Sequence, residues 1–209
     1  MDVKSAVRTT LILSLAAGGP SVAQVPWESP QLLAPGSPEG VGLFFVDFGL
    51  APDDGIGLLV TYRGTAAPTG LGMRFAATRG EREDDPHFSG GIDAAIPMIG
   101  HSPTFPLDVI WTTGVGASYS DYLQLAAPVG FSAGRALEGP TIWFNPYVST
   151  RAVFELYLGD EAPEDEFGMA LAADLGFDVA FGRRRAPIFR LATSLGDRHA
   201  IVAGIHLRL

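Results

Sequence analysis

The chain contains no cysteine, which excludes a disulfide framework, a thiol nucleophile and a thiolate metal site. Lysine is almost missing as well; the single one is Lys4. Hydrophobic residues make up 47% of the sequence. Yet outside the N-terminus no apolar run approaches the roughly 18 residues that a membrane-crossing helix needs. Also absent are a G-x-x-x-x-G-K-[ST] phosphate loop, a G-x-S-x-G nucleophile elbow and an H-E-x-x-H zinc helix. The net charge of −9 argues against a nucleic-acid partner. An acidic balance serves plain solubility or ligand attraction equally well.

What is present is an alternating pattern. The 209 residues suffice for one sizeable domain, and 26 Gly with 16 Pro suit many strands and turns. In the stretch from Phe167 to Phe181 the odd positions are Phe, Met, Leu, Ala, Leu, Phe, Val and Phe. The even positions are Gly, Ala, Ala, Asp, Gly, Asp and Ala. A strand sends successive side chains to opposite faces, so one face is bulky and apolar and the other small and acidic. A helical period of 3.6 would mix the two sets. The stretch also exceeds the roughly 5–6 residues of an ordinary strand and reaches the roughly 9–11 that cross a bilayer.

Residues 1–23 read as a secretory signal. Lys4 and Arg8 precede the apolar Leu11-Ile12-Leu13-Ser14-Leu15-Ala16-Ala17, and Ser21-Val22-Ala23 sets cleavage before Gln24. Residues 24–39, rich in Pro, Gly and Ser, form an irregular lead-in. From Gly40 the two-residue period recurs in ten segments. These are Val41–Leu50, Ile56–Gly64, Leu71–Arg79, Phe88–Met98, Leu107–Tyr119, Tyr122–Gly134, Phe144–Leu158, Phe167–Phe181, Ile188–Leu195 and Ala200–Leu209. Eight or twelve strands also fit, and residues 139–146 have room for a further short strand or a longer turn.

With its leader, dyad-repeat strands and a last strand running to Leu209, the chain resembles small bacterial outer-membrane β-barrels over residues 40–209. It departs from them at Leu209, where such barrels usually carry an aromatic residue. The resemblance implies a transmembrane antiparallel up-and-down barrel in the outer membrane. Residues 24–39 would then be periplasmic, and the partners outer-membrane lipid and the barrel-assembly machinery. It implies no activity, cofactor or ligand. The connections at 51–55, 80–87, 119–121, 159–166 and 196–199 go to the outer side, and the Arg183-Arg184-Arg185 turn to the periplasm. Strand parity alone does not place both acidic loops, Glu81–Asp85 and Asp160–Glu166; length and charge assign them outward.

The face opposite the bulky one presents Asp47, Arg63, Arg74, Asp93, Asp108, Arg151, Glu155, Asp174, Asp178, Arg190, His206 and Arg208. Isolated charges in a narrow dry lumen cost several kcal/mol each, so they are expected to be paired or wet. The near balance of signs favours pairing, and Arg suits bidentate contacts to carboxylates. This predicts a charge-paired, largely closed lumen in a structural or surface-binding barrel. The alternative is a narrow porin-like channel for small ions and solutes.

A third reading is an enzyme. Asp84, Asp85 and His87 at one rim, with Asp197 and His199 at another, resemble the arrangement of omptin-type outer-membrane proteases. There, acids and a His on the wall near the outer mouth activate a water. A pair of Ser118 and His199 would point instead to a lipid-A deacylase, if the two meet in space. The blander reading of all five loop residues is a solvated charged rim. Asp84, Asp85 and His87 are also a weak metal set, and no metal site is assigned. A soluble secreted sandwich or lipocalin-like barrel is the competing fold. A water-washed face would carry more Lys, Glu, Thr and Gln than this one.

Overall fold

A computed structural model describes residues 27–48, 55–66, 69–80, 87–119, 122–159, 162, 166–182 and 187–209. The signal at 1–23, the loop bearing Asp84 and Asp85, the tight turn at 120–121, most of the 160–166 loop and Arg183–Arg185 lie outside the described residues.

The chain is all-β. Its strands are β1 (Gly40–Asp47), β2 (Gly55–Ala66), β3 (Thr69–Gly80), β4 (His87–Ile99), β5 (Asp108–Tyr119) and β6 (Leu123–Gly134). They continue as β7 (Leu137–Glu138), β8 (Ile142–Leu158), β9 (Phe167–Phe181), β10 (Ile188–Gly196) and β11 (Ala200–Arg208). Each strand pairs antiparallel with its sequence neighbours, except that β6 passes over the two-residue β7 to pair with β8. The first and last long strands join through Gly40↔Arg208 to Asp47↔Ile201. Ten strands thus close an antiparallel barrel with no free edge, which removes the unpaired backbone row that an open sheet exposes. The small β7 falls beside the 139–146 region where an extra strand had room.

Closure puts all the long connections of like kind together. β1, β3, β5, β8 and β10 end at one end, here the mouth; the acidic connections leave from β3 and β8, so strand parity alone does assign both to one end, contrary to the expectation above. The C-terminus, the start of β1, and the connections after β2, β4, β6 and β9 sit at the other end, the base.

The alternation separates the two faces. On β1 the burial pattern is strictly alternating: Gly42, Phe44 and Val46 point in, and Val41, Leu43 and Phe45 point out. Around the wall, Leu58, Met73, Phe75, Ile92, Val115, Phe131, Phe154, Leu171, Leu191 and Ile205 are all exposed large hydrophobics. Proline marks the local breaks in the ladder, because it has no N–H to donate. The β5–β6 pairing skips the residues opposite Pro128, and the β4–β5 register shifts between Pro97 and Ile99.

The core therefore lies inside the barrel, and wall residues alone do not make it. Residues 27–39, which join β1 at the base, run back up through the lumen. Trp27 is 0% exposed and Leu32 3%. Leu32 and Ala34 pack with the inward Phe44, Val46, Phe48, Leu59, Tyr147, Ala192 and Val202. Trp27 packs with Ala126 and Val153.

Candidate functional site: a lumen filled by the N-terminal segment

The strands that surround residues 27–39 have small inward faces. On β9 these are Gly168, Ala170, Ala172, Asp174, Gly176, Asp178 and Ala180. Protein interiors pack to the density of organic crystals, so a lumen lined this sparsely must hold something else. Here it holds the chain's own segment. Gly114 makes the room for Trp27, because a Cβ there would come within 2.9 Å of the indole ring.

Charged wall residues meet this segment at four places. Nearest the centre, Asp174 on β9 accepts hydrogen bonds from Arg151 Nε (3.1 Å), Ser194 Oγ (2.6 Å) and Ser149 Oγ (3.2 Å). It also accepts the backbone N–H of Gln31 at 3.1 Å. Arg151 donates in turn to Ser194 Oγ at 3.0 Å and to the carbonyl oxygen of Trp27. Arg151 and Asp174 have fully buried side chains, and such an ion pair persists only when its remaining hydrogen-bonding capacity is met. The two serines and the segment meet it.

Toward the base, Arg190 grips Asp178 through Nε and Nη2 in a two-point contact. The same guanidinium donates to Leu32 O at 2.8 Å and to Ser37 Oγ at 2.9 Å. On the opposite wall, Arg74 donates to Pro30 O at 3.1 Å and Ser29 Oγ at 3.2 Å, and its guanidinium lies 4.4 Å from the Trp27 ring centre. Thr112 donates to Gln31 Oε1 at 2.9 Å. Asn145 donates to Pro35 O at 2.9 Å.

Near the mouth, Arg198 bridges Glu28 (3.2 Å) and Glu155. Glu155 also accepts from Tyr157 Oη at 2.9 Å. Burial pulls the Arg198 pKa down, but the two carboxylates outweigh it and leave it raised. Arg63 and Asp93 form a further pair on β2 and β4. His206 is buried beneath the start of β1, where a Cβ on Gly40 would lie 2.6 Å from its Nε2.

Of the residues expected in the lumen, one faces outward and two keep inward parity but stand at its base end. Asp47 has the parity of Val41, Leu43 and Phe45 and is exposed on the outer face at the end of β1. Asp108 has inward parity, but it is the first residue of β5 and sits at the base rim. There it accepts the backbone N–H of His101 at 2.8 Å and pairs with the His101 ring at 2.9 Å. Arg208 is half-buried at the base with its guanidinium 5.2 Å from the Trp143 ring centre. Arg198, Glu28, Trp27 and Gln31 were not expected in the lumen at all. Arg198 lies in a turn, where alternation carries no information, and the other three precede the first strand.

Among the described residues, His87, Asp197 and His199 are not brought together. His87 begins β4, whereas Asp197 and His199 lie in the β10–β11 turn, and β3, β2 and β1 intervene around the wall. The Asp197 carboxylate is used structurally, accepting Leu171 N–H at 2.8 Å. Ser118 on β5 and His199 stand on opposite walls. Among the described residues no cluster of three His, Asp or Glu side chains could hold a metal ion. The sequence matches no known protein family and no curated protein.

Proposed function

We propose that this chain is an outer-membrane β-barrel, exported through a cleavable signal, with a structural or surface-binding role and a lumen closed by its own N-terminal segment. The observation that carries the location is the outer face. Soluble monomers rarely expose contiguous apolar patches beyond a few hundred Å². Here every long strand presents large apolar side chains away from the filled interior. A closed barrel is also one of only two architectures that satisfy their backbone inside a bilayer. The filled lumen favours a structural or binding role over a standing pore. The separation of His87 from Asp197 and His199 takes support from a protease-like site.

The test is membrane insertion followed by conductance. The chain without residues 1–23 is refolded with lipid vesicles and moved into planar bilayers. Insertion without steady current is the expected result. Steady open steps would establish the channel instead, and a folded chain that stays out of vesicles would remove the membrane reading.

A further inference from the structure

We propose that the lumen is a binding site for the backbone of an irregular, turn-containing peptide, and that residues 27–37 occupy it as a displaceable ligand supplied by the chain itself. This deepens the closed-lumen reading and rests on it.

The wall addresses the main chain of the segment. Arg151, Arg74, Arg190 and Asn145 donate to the carbonyl oxygens of Trp27, Pro30, Leu32 and Pro35. Asp174 accepts the N–H of Gln31. These groups come from the adjacent β8, β9 and β10 and from β3 across the lumen, so the segment is gripped from two sides. The segment suits such a site because Pro30 and Pro35 have carbonyls to offer and no N–H to leave unmet. One aromatic side chain, Trp27, seats on the Arg74 guanidinium and fixes the register. The ligand class is therefore a proline-containing peptide that follows an irregular, turning path and carries an aromatic residue at one end.

The same contacts are of a kind that can be exchanged. Among the described residues no strand ladder joins residues 27–37 to the wall; their polar contacts with it run through wall side chains, which water can replace one at a time. Leu32 is held at φ 58°, a left-handed conformation that is unfavourable for a non-glycine residue and offsets part of the docking. Trp27 Nε1, Gln31 Nε2, and Arg74 Nε and Nη1 are buried without a hydrogen-bond partner among the described residues. Each would regain water on release. Docking is thus specific in geometry and incomplete in satisfaction.

The experiment uses two forms of the protein. A chain beginning at Glu39 behind an initiator Met is folded in detergent and titrated with a dye-labelled synthetic peptide of residues 27–38, read by fluorescence anisotropy. Saturable binding is expected, displaced by unlabelled peptide and weakened at least tenfold when the peptide carries Trp27→Ala. A folded barrel that does not bind the peptide overturns the proposal. If the shortened chain does not fold, the full chain carrying Ser29→Cys is used, since it then has a single thiol. Labelling of that thiol by a maleimide in the folded barrel, faster than global unfolding, supports displacement; protection until the barrel unfolds overturns it. Planar bilayers separate the two readings. Current through the shortened chain, blocked by peptide added at the base side, supports both. Peptide binding by a chain that never enters bilayers keeps this inference and removes the membrane reading. Equal conductance with and without residues 27–38 removes this inference and keeps the membrane.

Discussion

At the residue scale the decisive group is Asp174, on which a guanidinium, two hydroxyls and a backbone N–H converge. Truncating it leaves Arg151 charged and buried, and breaking such a pair from one side costs about 3–5 kcal/mol. Asp174→Ala is therefore expected to destabilise the barrel by about that amount in urea titrations. Arg151→Met combined with Asp174→Leu should cost less than the sum of the two single changes. Equal additive losses would mean that the two residues do not act as a pair. Most of this cluster was legible in the sequence, because inward acids and arginines on alternating strands must find each other. Its serines were not, since Ser149 and Ser194 carry no signal until the register places them beside Asp174. Asp47 was misread because at a strand end charge suggested the lumen while parity pointed outward, and parity governs.

At the scale of the element, closure depends on β6 meeting β8 across the short β7 hairpin. The two strands approach closely at Gly130, where a Cβ would lie 2.1 Å from the carbonyl oxygen of Thr150. Gly130→Ala is expected to destabilise the barrel by about 1–3 kcal/mol, the usual range for overpacking. Gly100→Ala, in a loop with no atom within 4 Å of the new Cβ, should stay within about 0.5 kcal/mol. Thermal or urea midpoints of the two variants, measured side by side, check this; equal shifts would discount the close approach. The ten strands and their facing were readable because a period of two leaves one answer for each side chain. The small strand at Leu137–Glu138 has too few residues for any period to show.

At the scale of the whole molecule the sequence pattern described a wall and missed its contents. The small Gly and Ala side chains of β9 were visible as an inner face, and the volume they leave unfilled was the available signal for an inserted segment. Residues 27–39 gave no periodicity to read, since an irregular chain inside a barrel looks in sequence like one outside it. The outer surface offers its own test. If it faces lipid, Leu191→Arg, near the middle of β10, should cost up to about 2–4 kcal/mol for refolding into vesicles. Little change in vesicles would argue that this face meets water or protein.

The seam between β1 and β11 has a consequence in time. The inserted segment and β1 are made well before their partners Asp174, Asp178, Arg190 and the whole of β11. Gln31 and Asp174 are separated by 143 positions, and Leu32 and Arg190 by 158. Contacts of such long sequence separation form late and slow folding. Until β11 is in place, β1 has a free edge and the early segment has no complete cradle. The interior is thus finished only when the chain's two ends meet, so filling of the lumen reports that the wall is complete.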